Sequence, residues 1–114
     1  MSTLNLLVLK AENPEKLASF YSAFGLSFVR EKHGKGPVHH SSNAGGSVFE
    51  IYPCTDPSEK TTGTRIGFKV RSIDQTIAAF PNHVRVLSSP KKTPWGRRAV
   101  IMDPEGHKVE LVEG

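Results

Sequence analysis

"VIMDPEGHKVELVE", residues 100–113, runs as apolar chain, a tight polar corner, then apolar chain with one carboxylate in its middle. "GGSVFEIYP", residues 45–53, has the same shape. Glu50 sits between Phe49 and Ile51 as Glu110 sits between Val109 and Leu111, 60 residues further on. Alternate side chains of a strand share a face. Phe49/Ile51 and Val109/Leu111 are therefore expected to meet covering helices. Each glutamate then points the other way, beside Val48 and Tyr52 in the first stretch and Lys108 and Val112 in the second.

Working outward, each stretch closes a similar series of elements. Leu4 to Ala11 is an apolar run of strand length, expected to be buried on both faces. In "NPEKLASFYSAFG", residues 13–25, Asn13 suits an N-cap and Pro14 the first helical position. Leu17, Phe20, Tyr21 and Phe24 make one apolar stripe, and Gly25 can end the helix. "LSFVREK", "PVHHSS" and "SVFEIYP" read as three strands separated by the turns "GKG" and "NAGG". Residues 54–63 have no periodicity and read as a surface linker.

The order then restarts. "TRIGFKV" is a strand, and Ser72 with Gln75 makes a capping box for a short helix carrying Ile73, Ile77 and Phe80. "HVRVLSS", "RRAVIMD" and "KVELVE" are strands joined by "PKKTPWG" and "PEGH". Matching Leu9–Ala11 to Phe68–Val70 gives an offset of 59 and matching the glutamates gives 60, so the series is a duplication. The expected fold is α+β: tandem βαβββ modules, one over 3–53 and one over 64–114, within a single domain spanning 1–114. If the modules pack about a pseudo-twofold axis, their concave faces join into one cup holding Glu50 and Glu110 in equivalent places.

Bulk properties restrict the partners. The net charge is +4, but the basic residues are scattered. The densest group, Lys91, Lys92, Arg97 and Arg98, is expected to be a solvated face, and nucleic acid is not expected as a partner. A single cysteine, Cys54, excludes an internal disulfide and a cysteine-built zinc cage. "MSTLNLLVLK" has no basic region ahead of a short apolar run, which argues against a signal peptide or membrane span and for a cytoplasmic setting.

The duplicated unit, "NPEKLASFYSAFGL" and "PWGRRAVIMDPEGHKVEL" together resemble the vicinal oxygen chelate superfamily of glyoxalases, bleomycin-resistance proteins and extradiol dioxygenases. The resemblance covers essentially the whole chain, and it implies curved half-barrel sheets whose cup holds the ligand. It also implies a homodimer. Metal-dependent members draw ligands from the first and last strands of each module. Carried onto this chain, the last-strand positions are Glu50 and Glu110, and the first-strand positions are Leu6 and Arg65. Leucine has no lone pair, and arginine stays protonated and repels a divalent cation. The resemblance is thus nearest to a glyoxalase-like protein depleted of metal ligands. No cofactor is expected; any divalent metal would fall to Glu50 and Glu110.

Two functions remain open on these residues. One is a small-molecule binding protein for a cationic or amphipathic ligand, with Glu50 and Glu110 supplying charge. Trp95, on a hairpin that forms the rim in related proteins, and Tyr52 would supply stacking, and Leu6 would line the cup. Arg65 would pair with a glutamate or present its donor fork to an anion. One of His39 and His40, adjacent on a strand, can face the cup. His33, His83 and His107 read as turn or strand-end residues with no partner. The other function is a glyoxalase-like lyase or dioxygenase-type enzyme, using Glu50 and Glu110 with an unusual metal set or as general base.

Overall fold

The computed structural model covers residues 1–114, and the chain divides into two compact units, 1–61 and 62–114. The division falls inside the stretch expected to be a linker. Each unit is one βαβββ module with a curved, open, four-stranded sheet.

In the first unit β1 (Leu6–Ala11) is followed by α1 (Pro14–Ser22), β2 (Val29–Glu31), β3 (His39–Ala44) and β4 (Ser47–Pro53). The sheet order is β1-β4-β3-β2, with β1 parallel to β4 and the other pairs antiparallel. Helix α1 starts where the sequence places it, because the Asn13 side chain accepts from Lys16 N at 3.1 Å and Pro14 needs no donor partner there. Its inner face buries Leu17, Ala18 and Tyr21 against Leu9, Ala11, Phe49 and Ile51. Tyr21 meets Phe49 edge-on, ring centroids 5.0 Å apart, and Phe28 packs on Phe49 at 5.8 Å.

The second unit repeats the plan with β5 (Arg65–Val70), α2 (Ile73–Ala78), β6 (Arg85–Thr93), β7 (Gly96–Met102) and β8 (Lys108–Glu113), in the order β5-β8-β7-β6. Ile66, Ile73, Ala99, Ile101, Val109 and Leu111 form its buried layer. Ser72 caps α2 by accepting from Gln75 N at 3.1 Å. Glu113 adds a second acceptor from β8, taking Ile73 N at 2.9 Å. The stretch expected to be a linker is not featureless: Pro57–Glu59 form a 3-10 turn closed by a capping box from Asp56 and Glu59, within the first unit.

Four expectations fail, each for a physical reason. Strand β1 is not buried on both faces, since α1 covers only one, and Leu6 is 46 % exposed. Strand β6 does not stop before Pro90. It lies at the sheet edge with register shifts around Ser88, where a residue without N–H is tolerated. His107 is not a partnerless corner residue: it is fully buried, with Nδ1 at 2.8 Å from Asp103 Oδ2. Nor is the basic group on β7 simply solvated. Arg97 bonds Asp74 and Glu113 on the helix side, and Arg98 bonds Glu110 on the opposite side.

The "DPEGH" corner joining β7 to β8 explains itself atom by atom. One Asp103 carboxylate oxygen accepts from Glu105 N and His107 N, and the other takes the His107 ring. Gly106, at φ +92°, makes the turn that brings residues 103 and 107 together. The most distinctive motif in the chain is a structural lock on β8.

Candidate functional site

The strand registers settle which side chains share a face. In the first unit Val8, Glu50 and Ser41 lie abreast on β1, β4 and β3, as do Leu6, Val48 and Asn43. Lys10 pairs with Tyr52, and Glu31 pairs with His39. All of these lie on the face away from α1. His40 pairs with Ile51 and therefore falls on the helix side, so His39 is the member of the pair that joins Glu50.

His39 is 1 % exposed. Its ring lies flat on Tyr52, centroids 4.2 Å apart and planes 6° apart. Nδ1 stands 3.2 Å from the Pro37 carbonyl, which can only accept, so the contact is a hydrogen bond when Nδ1 donates. Nε2 then points at two acids, 3.4 Å from Glu31 and 3.6 Å from Glu50, without a hydrogen-bond partner. His33 Nε2 lies 3.8 Å from the same Glu31 oxygen. Donor atoms of Glu31, His33 and His39 all fall within 4.8 Å of one another, a group able to hold a metal ion. Burial, and then the charges of Glu50 and Glu31, push the Tyr52 phenol up from its ordinary value. Glu31 and His33 were not singled out from sequence. Strand β2 is only three residues long, and nothing periodic shows that the 32–38 loop folds Glu31 back onto His39.

Beside this cluster an open cleft of about 350 Å³ lies on the same sheet, lined by Val29, Glu31, Ser41, Asn43 and Val48 among others. Three apolar side chains on this face stay in solvent: Leu6, Val29 at 60 % exposure and Val48 at 38 %.

Glu110, the counterpart in the second unit, has different company. It lies abreast of Gly67 and Val100, and Arg98 donates to it at 2.6 Å while Arg65 donates at 3.4 Å. The Arg98 hydrogen bond, with the charges of both guanidiniums, holds its carboxyl below the usual carboxylate range against the opposing effect of partial burial. The sign of the pH effect follows. A lowered folded-state pKa contributes stability that is present above the ordinary value near 4.5 and lost as pH falls through the folded value. Glu110→Gln is therefore expected to lower the urea midpoint at pH 7, with a gap to the parent chain that narrows as pH falls below the ordinary carboxylate value near 4.5. Trp95 is 80 % exposed at the β6–β7 turn, its N–H bonded to Thr93 Oγ1.

The metal positions implied by the fold do not fit a divalent ion. Leu6 offers no donor, Arg65 is a cation, and Glu110 already carries two guanidiniums on its Oε2.

Two βαβββ modules in tandem, each with a glutamate at the centre of its last strand, define the vicinal oxygen chelate class of folds. The chain belongs to the glyoxalase/bleomycin resistance protein/dioxygenase superfamily, whose family model matches residues 3–111. Over 99 % of its length it is similar to TnmS3, an antibiotic binding protein from Streptomyces sp. CB03234, with 23 % identity, 96 % of that chain covered and a TM-score of 0.76. A superfamily member from Sphaerobacter thermophilus DSM 20745 matches 100 % of the chain, with 19 % identity, 98 % coverage of its own length and a TM-score of 0.78. The oxidase ChaP-H2 matches 99 % of the chain at 17 % identity, with 94 % of its own length and a TM-score of 0.77. At these identities the likeness is one of fold. No curated protein matches the sequence.

Proposed function

We propose that the protein is a small-molecule binding member of its superfamily, taking an amphipathic ligand with a cationic group on the open face of the first sheet. It does so without the superfamily's usual divalent metal site. The observation that carries this reading is the cleft itself. Exposed Val29 and Val48 line it, with Leu6 abreast of Val48 on the neighbouring strand, while Ser41, Asn43 and Glu31 supply polar groups. Apolar side chains collected on one face with a few convergent polar atoms are the usual composition of a ligand site. Glu31 and Glu50 favour a cation there. Within the second unit, Trp95 keeps its proposed role as an exposed stacking surface, and Arg65 that of holding Glu110. Tyr52 contributes by fixing His39 rather than by stacking on ligand, because His39 already occupies its face. The antibiotic-binding neighbour is consistent with such a ligand class. The enzymatic alternative is the weaker one, since a carboxylate held ionised by Arg98 has little affinity for a substrate proton. A homodimer in the cytoplasm, as the resemblance implies, is part of the same proposal; a monomer mass by light scattering at micromolar concentration would remove the dimer.

The test is a titration of isotope-labelled protein with bleomycin and, separately, with the cationic aromatic dye thioflavin T. Amide shifts centred on Val29, Ser41, Asn43 and Val48 are expected. Val48→Lys should weaken the interaction about tenfold, the equivalent of losing roughly one buried aliphatic contact. Shifts confined to other surfaces, or glyoxalase turnover abolished by Glu50→Gln, would reject the reading in favour of another surface or of an enzyme.

A further inference from the structure

Glu31, His33 and His39 do not occupy the strand positions from which the superfamily draws its metal, yet their donor atoms converge to within 4.8 Å of one another. In a tetrahedral site with nitrogen or oxygen donors at about 2.0–2.1 Å, neighbouring donors stand about 3.3–3.4 Å apart. His39 Nε2 to Glu31 Oε1 is 3.4 Å, His39 Nε2 to Glu50 Oε2 is 3.6 Å, and His33 Nε2 to Glu31 Oε1 is 3.8 Å. All three exceed a good hydrogen bond; the first equals the edge of such a tetrahedron, and the other two, with a group spread of up to 4.8 Å, would close by a few tenths of an ångström or more around an ion.

Three further features point the same way. The His39 Nε2 is buried, has no hydrogen-bond partner and is aimed into the group. Its other nitrogen is oriented by a backbone carbonyl, the outer-shell arrangement that fixes the tautomer of metal-bound histidines. And the Tyr52 stack holds the ring in that orientation before any ion arrives. His33, with 71 % of its side chain exposed, leaves a path from solvent.

We propose that Glu31, His33 and His39, with Glu50 adjoining, form a transition-metal site at the β2–β3 end of the first sheet. Two imidazoles beside carboxylates select zinc, cobalt or nickel over magnesium or calcium, which prefer oxygen alone. The site shares Glu31 with the proposed ligand cleft but not the cleft's apolar lining, so the two are tested apart: Val48→Lys should leave Zn²⁺ binding unchanged, and His33→Ala should leave the small-molecule interaction unchanged.

The experiment uses the full chain, stripped with chelator and without an affinity tag, titrated with Zn²⁺ by calorimetry and with Co²⁺ by visible absorption. One ion per chain is expected, with cobalt bands of tetrahedral intensity and a melting temperature raised by Zn²⁺. Glu31→Gln and His33→Ala change side chains at a partly exposed edge, so the fold should survive, as circular dichroism would verify. Each is expected to weaken Zn²⁺ at least tenfold and to abolish the rise in melting temperature, on the scale at which even outer-shell losses act. Glu110→Gln and His40→Ala should leave both unchanged. Absence of stoichiometric binding overturns the proposal. So does binding that survives Glu31→Gln and His33→Ala, or that disappears with Glu110→Gln.

Discussion

Asp103→Ala is expected to cost about 3–5 kcal/mol of folding stability, seen as a large fall in the urea midpoint at pH 7. The side chain is buried, and its two oxygens serve three donors: Glu105 N at 2.9 Å, His107 N at 3.0 Å and His107 Nδ1 at 2.8 Å. Removing the carboxylate strands those donors in a site where water does not replace them, and an unsatisfied buried donor costs about 1–3 kcal/mol. Asp103→Asn separates shape from charge. It keeps one acceptor oxygen and most of the volume, so about half the loss is expected. Equal stability for Asp103→Ala and the parent chain would mean that the corner folds without its lock.

This result bears on function as well as folding. The corner sets the entry of β8, and Glu110 lies on β8 two residues after Lys108, the strand's first residue. A loosened corner would therefore also loosen the Arg98–Glu110 pair. The loss of stability and the loss of pH dependence should appear together in Asp103→Ala, whereas Glu110→Gln removes only the second and a smaller part of the first.

The parts of the chain legible in sequence were those where one face is buried and the other is not. Strands β4 and β8 are found at the bounds expected, because alternation around Glu50 and Glu110 can be satisfied in a single register. Helix α1 was legible from its cap and stripe together. Edge elements were not: Pro90 looked like a stop because nothing local says that its strand has no outer neighbour.

The candidate site divides the same way. The two glutamates were visible as a repeat, but their surroundings depend on cross-strand neighbours that are distant in sequence. Glu50 faces an imidazole held on Tyr52, and Glu110 faces two guanidiniums. Equivalent positions in a duplicated unit have thus become a histidine–acid cluster in one and an ion-pair clamp in the other. Arg98 read as one member of a basic hairpin, because alternation alone does not reveal which of Arg97 and Arg98 finds an acid on its own side. His33 read as loop for lack of any sign that the loop closes on Glu31 and His39.

Tyr21→Ala is expected to destabilise the first unit by about 3–5 kcal/mol, the range for emptying a buried aromatic site. Tyr21 is fully buried at the centre of an aromatic group, 5.0 Å from both Phe20 and Phe49 and 5.9 Å from Phe24. It couples α1 to β4 through Phe49, the residue next to Glu50, so its loss should reach the open face of the sheet. Amide exchange on β4 should quicken in Tyr21→Ala, and Zn²⁺ should recover part of the lost melting temperature by bridging β2 and β3. Tyr21→Phe keeps the ring and should lose much less, about 1 kcal/mol for one hydroxyl contact. If Tyr21→Ala melts with the parent chain, the helix is not held by this cluster, and the rigid backing inferred for Glu50 and His39 must come from elsewhere in the sheet.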